Sequence, residues 1–186
     1  MGVLRNILKL AVAAAGVTIC LVSSALAEGE RLQQLMLDLK SSTAEEAGRI
    51  AADIQLEWEK SGSASADLLL SRGQRSLEAG DVQAAIEHFT ALTDHAPEFA
   101  EGWVSRASAF AHADMFGPAL GDLEVALGLN PQHFEAIVGL ATLLELINRP
   151  QDAYEAYQLV QSIHPHHPTV TEALERLGPS VLGREL

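Results

Sequence analysis

Pro97, Pro131 and Pro165 stand 34 residues apart, and the same interval separates Ala85, Ala119 and Ala153, then Gly73, Ala107 and Ala141. A period of this length restricts the chain to architectures in which one supersecondary unit is stacked on copies of itself. Large apolar residues keep the same register, with Phe89, Leu123 and Tyr157 in one column and Ile86, Leu120 and Tyr154 three residues earlier.

Each unit reads as two helices. In the middle one, Trp103, Ala107, Phe110 and Ala111 follow helical spacing, Asp114 to Gly117 breaks it, and Ala119, Leu120, Leu123, Ala126 and Leu127 resume it. The first unit turns at Glu78-Ala-Gly80-Asp81, where glycine suits a left-handed helix end and aspartate suits the next start. The third turns at Asn148-Arg149-Pro150, with Pro150 placed where a first helical turn needs no N–H. The small columns Gly73/Ala107/Ala141 and Ala85/Ala119/Ala153 allow the paired helices to approach. Phe89, Leu123, Tyr157, Trp103 and Phe110 are expected to fill the space between hairpins.

A 34-residue helix-turn-helix with these residue types resembles the tetratricopeptide repeat. The match spans three units without insertion, residues 66–99, 100–133 and 134–167. The resemblance implies an all-α fold, a right-handed superhelical stack of antiparallel hairpins with a concave groove in which peptides or helices dock. Departures are Arg72 and Arg106 at sites usually given to leucine, Ser76 at an aromatic site, and Leu92 and Val160 at a small site. A stack must cover its ends. Residues 168–177, within the closing segment 168–186, read as a capping helix stopped by Gly178-Pro179. In the segment 28–65, Leu32, Leu35 and Leu39 mark one amphipathic helix and Ala47, Ile50, Ala51, Ile54 and Trp58 a second. These two are expected to form a degenerate hairpin stacked on the first unit, joined to it by Ser61 to Ser65. Its mixed charges, Glu45, Glu46, Arg49 and Asp53 among them, argue against a basic membrane-surface helix.

Residues 1–27 carry Arg5 and Lys9, an apolar run from Leu10 to Val22, and Ala25-Leu26-Ala27, the three parts of a signal peptide. The run is short of the roughly 20 residues of a membrane span, and Ile19 before Cys20 does not fit a lipoprotein anchor. Cleavage is expected after Ala27, with no stable membrane insertion afterwards. Loss of the segment removes two positive charges and no acid, so the net charge of -13 becomes more negative still. Such a surface repels phosphate backbones, and nucleic acid is not an expected partner. The single cysteine, Cys20, leaves with the segment, and no Asn-x-Ser/Thr sequon is present. A bacterial periplasmic or secreted location is expected.

Neither Gly-x-Ser-x-Gly, His-Glu-x-x-His, nor a phosphate or dinucleotide loop occurs, and the chain is read as a non-enzyme without cofactor or metal. His164, His166 and His167 are clustered, but they fall in a turn, as does His133, and solvation in turns is their expected state. By the same reasoning Trp103→Ala is expected to cost about 3 to 5 kcal/mol, more than any histidine change.

The family resemblance assigns the inward positions of each first helix to the groove. They are Asp67, Leu70, Ser71 and Gln74 in unit one, and Glu101, Val104, Ser105, Ser108 and His112 in unit two. Unit three adds Glu135, Val138, Gly139, Thr142 and Glu145. None is Lys or Arg, so a carboxylate would find no cation there. The expected partner is a protein or peptide segment with apolar anchors flanked by Lys or Arg. The competing reading is a structural subunit or self-associating scaffold with an unoccupied groove.

Overall fold

The computed structural model describes residues 29–183, and the expected signal peptide at 1–27 lies outside the described residues. Among the described residues the regular structure is entirely helical. A helix over 29–41 (α1) precedes α2 (Ala44–Trp58), α3 (Ala64–Glu78), α4 (Val82–His95) and α5 (Ala100–His112). Then come α6 (Phe116–Leu129), α7 (Phe134–Leu146), α8 (Pro150–Ile163) and α9 (Pro168–Leu182).

The three units are the hairpins α3/α4, α5/α6 and α7/α8, and one turn chemistry closes all of them. Gly80, Asp114 and Asn148, one period apart, take φ of 77°, 58° and 60°. These are the residue types that tolerate the left-handed region. The N–H of the following residue then reaches back into the first helix. Asp81, Met115 and Arg149 donate to the carbonyls of Ser76, Phe110 and Leu144 at 2.8, 2.9 and 2.8 Å.

The small column packs as its spacing requires. Ala107, Ala119, Ala141 and Ala153 are buried, and a Cβ on Gly73 would collide with the Phe89 ring. The leucine site taken by Arg106 is explained by a clamp. Its guanidinium donates to both carboxylate oxygens of buried Asp122 at 2.7 and 2.8 Å and to Thr93 Oγ1 at 2.8 Å. This ties α5 to α6 and α4, and the pairing raises the Arg106 pKa. Trp103 departs from its expected role. It is only half-buried, lies 4.8 Å from the Arg106 guanidinium, and donates from Nε1 to the Pro97 carbonyl at 2.9 Å. Indole needs a partner for its N–H, and the chain finds one near the surface.

Two terminal expectations are corrected. The capping helix α9 does not stop at Gly178-Pro179; it continues through Pro179 to Leu182, with Leu177 and Val181 in the apolar cluster. The packing of Leu177 and Val181 on that cluster offsets the hydrogen bond that proline cannot make. The 29–60 hairpin does not stack on unit one, whose core of Ala66, Leu70, Ala85, Phe89, Leu92 and Ala109 includes no residue of α2. Instead Leu39, Ala47, Ile50, Ile54 and Trp58 join the core of unit three and the cap, alongside Phe134, Ile137 and Tyr157. The apolar stripe of α2 found larger partners there than the end of α3 offers.

Candidate functional site: the concave cleft and its helical wall

Trp58 fixes where α2 lies. Its ring stacks on His133 at 4.1 Å between centroids and an angle of 25°, and tilts against Phe134 at 4.8 Å. His133 is fully buried at the start of α7. The N–H of Ala136 donates to its Nδ1 at 3.3 Å, so its proton sits on Nε2 and is donated to Glu101 Oε2 at 3.0 Å. His167 stands one period on and meets Glu135 Oε1 at 3.5 Å. The same two positions of successive units therefore make the same Glu–His pair. The contact with His167 holds the Glu135 carboxyl below its usual range, against the opposing effect of its partial burial.

The expectation of solvated turn histidines is wrong for His133, His164 and His167, all of them buried; only His166 is exposed. Phe134 draws the rings in, with His164 and His167 edge-on to it at 5.4 and 6.4 Å. Burial, and secondarily the neighbouring His167, push the His164 pKa down to about 4. Among the described residues no three His, Cys, Asp or Glu side chains converge as a metal site would require.

Between α2 and the inner faces of α3 and α5 lies a cleft of about 520 Å³. It brings together Gln74, Glu101, Val104, Ser105, Ser108 and Glu135 from the residues assigned to the groove. The floor also uses Leu77 and Phe89, and the wall is Gly48, Ala51, Ala52 and Gln55 of α2. The other assigned residues lie elsewhere. The Asp67 carboxylate accepts from the Ser61 N–H at 3.1 Å, and Leu70 is buried in the core of unit one. Ser71 and His112 are exposed, the latter with Nδ1 2.8 Å from the Ser108 carbonyl. Val138 packs against the α2 cluster, and Gly139 faces Leu123, which a Cβ there would meet at an ordinary 3.7 Å.

Thr142 and Glu145 belong to a network at the far end. Thr142 Oγ1 donates to the Val138 carbonyl at 2.9 Å and lies 3.3 Å from the Tyr157 hydroxyl, which donates to Glu145 at 2.9 Å. Arg176 of α9 donates to both Glu145 oxygens at 2.5 and 3.0 Å, lowering the Glu145 pKa. A cation absent from the inward positions of the first helices thus arrives from the cap. Glu101 and Glu135 stay as the acidic groups of the cleft, one buried against His133 and the other half-exposed.

Stacked 34-residue helical hairpins around a concave cleft define an α-solenoid. A tetratricopeptide repeat sequence model matches residues 70–114. A TPR repeat-containing protein of Rhizobium etli is 30% identical over 155 residues, covering 83% of this chain and 76% of the relative. The chain belongs to the tetratricopeptide-repeat family. Among solved structures it is similar in fold to the first TPR domain of Spaghetti (RPAP3) bound to an HSP90 peptide, SRMEEVD. That match has a TM-score of 0.62 at 22% identity, over 64% of this chain and 95% of the other. It is also similar to the type III secretion chaperone SycD of Yersinia enterocolitica in complex with a YopD peptide. There the TM-score is 0.60 at 14% identity, over 63% of this chain and 95% of the other. Among the described residues no helix is long and apolar enough to cross a membrane.

Proposed function

We propose that this protein is a non-catalytic interaction module of the bacterial cell envelope that holds a partner segment in the cleft between α2 and the inner faces of α3 and α5. The observation that carries the reading is the composition of that cleft. Apolar Leu77, Phe89 and Val104 line it together with buried Glu101 and half-exposed Glu135, with no Lys or Arg among the lining residues. A segment that places an apolar side chain on the floor and Lys or Arg at the rim gains burial and charge complementarity together. The peptide complexes of the RPAP3 and SycD domains support a protein or peptide as ligand on this fold. The acidic peptide held by the former is the opposite of the chemistry this cleft favours.

Action outside the cytoplasmic membrane is part of the reading, supported by Arg5, Lys9, the apolar run and Ala25-Leu26-Ala27. A peptide array separates the possibilities. Basic-apolar peptides should bind, and weaken as salt is raised because screening acts on exposed charges. Preference for acidic C-terminal peptides would overturn the chemistry assigned to the cleft. Binding to neither class, with a stable homo-oligomer on sizing, would favour a structural subunit.

A further inference from the structure

The hairpin 29–60 is an unusual component of a solenoid. Each repeat hairpin buries itself against its neighbours in sequence, whereas α2 passes unit one and is buried against unit three. It does not serve as a cap for the open end, where Leu68 of α3 stays exposed. Its polar bonds are kept largely to itself. Glu57 pairs with Arg31 and Lys60, Arg49 with Asp53, Gln34 with Asp38, and Thr43 with Glu46 in a capping box.

Toward the array the connections are of another kind. Ala47, Ile50, Ile54 and Trp58 form one apolar stripe, and all four are buried. The polar links across the junction are peripheral, from Gln74 to Glu59 at 3.3 Å and from Ser61 to Asp67 beside Gly62, whose φ is 73°. A helix that satisfies its own cap and ion pairs, and docks by one apolar stripe behind a glycine hinge, has the construction of a bound ligand.

We infer that the concave surface over units two and three is a receptor for an amphipathic helix, that α2 is its resident occupant, and that a partner helix displaces α2. The inference rests on the reading of the concave surface as the binding surface and names the partner's chemistry. The partner repeats the α2 stripe, a small residue followed by large apolar residues three, seven and eleven positions on, the last of them aromatic to stack on His133. It surpasses α2 on the neighbouring face. There α2 presents Gly48, Ala51, Ala52 and Gln55 to a cleft holding Glu101 and Glu135. Lys or Arg at the positions of Ala51 and Gln55 supplies the charge that α2 lacks. Tethering presents α2 at an effective concentration on the order of mM, so a helix of equal intrinsic affinity competes poorly and the added cations decide the exchange.

The test uses the full chain carrying Trp103→Phe, so that Trp58 alone carries 5-fluorotryptophan, and follows its fluorine resonance. The probes are synthetic peptides of residues 43–60, one unaltered and one with Ala51→Lys and Gln55→Arg. The cationic peptide should move the Trp58 resonance to its solvent-exposed position and bind at least ~5-fold tighter than the unaltered one. Ile54→Asp in the chain, which weakens the resident helix, should tighten both peptides ~10-fold or more, since it removes the tethered competitor. A Trp58 resonance unmoved at saturating peptide, or equal affinity for both chains, overturns the inference. If extended basic-apolar peptides then still bind while Trp58 stays in place, the cleft is the partner site and the displacement alone is wrong. Native-state hydrogen exchange on the unaltered chain needs no variant to fold. Amides of α2 should exchange through a shared opening that leaves α5 to α8 protected, and exchange of α2 only with global unfolding would equally overturn it.

Discussion

Replacing His133 by Phe tests whether the buried histidine is a structural hub or a passenger of the turn. Phe keeps the ring that Trp58 stacks on, so the change removes polar contacts with little change of volume. Two are lost: the cap that accepts the Ala136 N–H, and the donor to Glu101 Oε2. A lost helix cap costs about 1 kcal/mol. Leaving the buried Glu101 carboxylate short of a donor costs about 1 to 3 kcal/mol, and the remaining contact from Ser105 Oγ, at 3.5 Å, is too long to replace it. The sum is about 2 to 4 kcal/mol, against about 0.5 kcal/mol or less for His166→Ala at the exposed ring. Urea unfolding followed by circular dichroism reads the difference as a lower midpoint at unchanged slope. His133→Phe and His166→Ala with equal midpoints would refute the argument, and with it the seat assigned to α2.

Gly73→Ala should destabilise the array by about 1 to 3 kcal/mol, because its Cβ meets the Phe89 ring; Gly139→Ala, with Leu123 at 3.7 Å, should instead be neutral or stabilising by up to about 1 kcal/mol. Differential scanning calorimetry of the two variants checks the contrast. Arg106→Leu, which installs the residue usual at its site, should cost about 3 to 5 kcal/mol by stranding buried Asp122, and most of this should return in the double variant with Asp122→Leu. Acid should weaken the fold in a defined window. The unfolded His164 ring takes up its proton near pH 6.5 and the folded one only near 4, so between these values the unfolded state binds more protons and stability falls with pH, by ~1.4 kcal/mol per pH unit at most. Glu135, its carboxyl held low by His167, adds a further loss in more acid solution. His164→Gln should flatten the stability profile between pH 6.5 and 4, and an unchanged profile would contradict the burial argument.

The repeat was legible because it is written in residue types that each answer one physical demand. Gly80, Asp114 and Asn148 meet the left-handed turn, and the alanine columns meet the close helix approach. What escaped was written across units. The spacing of Glu101 and His133 recurs in Glu135 and His167, so the pairs were present in the sequence. Histidine in a turn nevertheless gives no local sign of whether neighbouring aromatic rings will cover it. The destination of α2 was hidden for the same reason. Its stripe of Ala47, Ile50, Ile54 and Trp58 declares that a face must be buried, and periodicity carries no information about which surface buries it. Arg106 looked like a defect in its own column, and its meaning lay with Asp122 and Thr93 on other helices.

The seat of Trp58 on α7 also orders events in time. A plain solenoid can close unit by unit, each hairpin settling on the one before it. Here α2 precedes all three units in the chain and has its seat on the third of them, and closing that long loop is the slowest kind of contact to make. Until unit three is complete, Ile50, Ile54 and Trp58 have no surface to cover them. During that interval the incompletely folded chain carries an uncovered apolar helix, the kind of surface that makes immature chains prone to aggregate and engages chaperones.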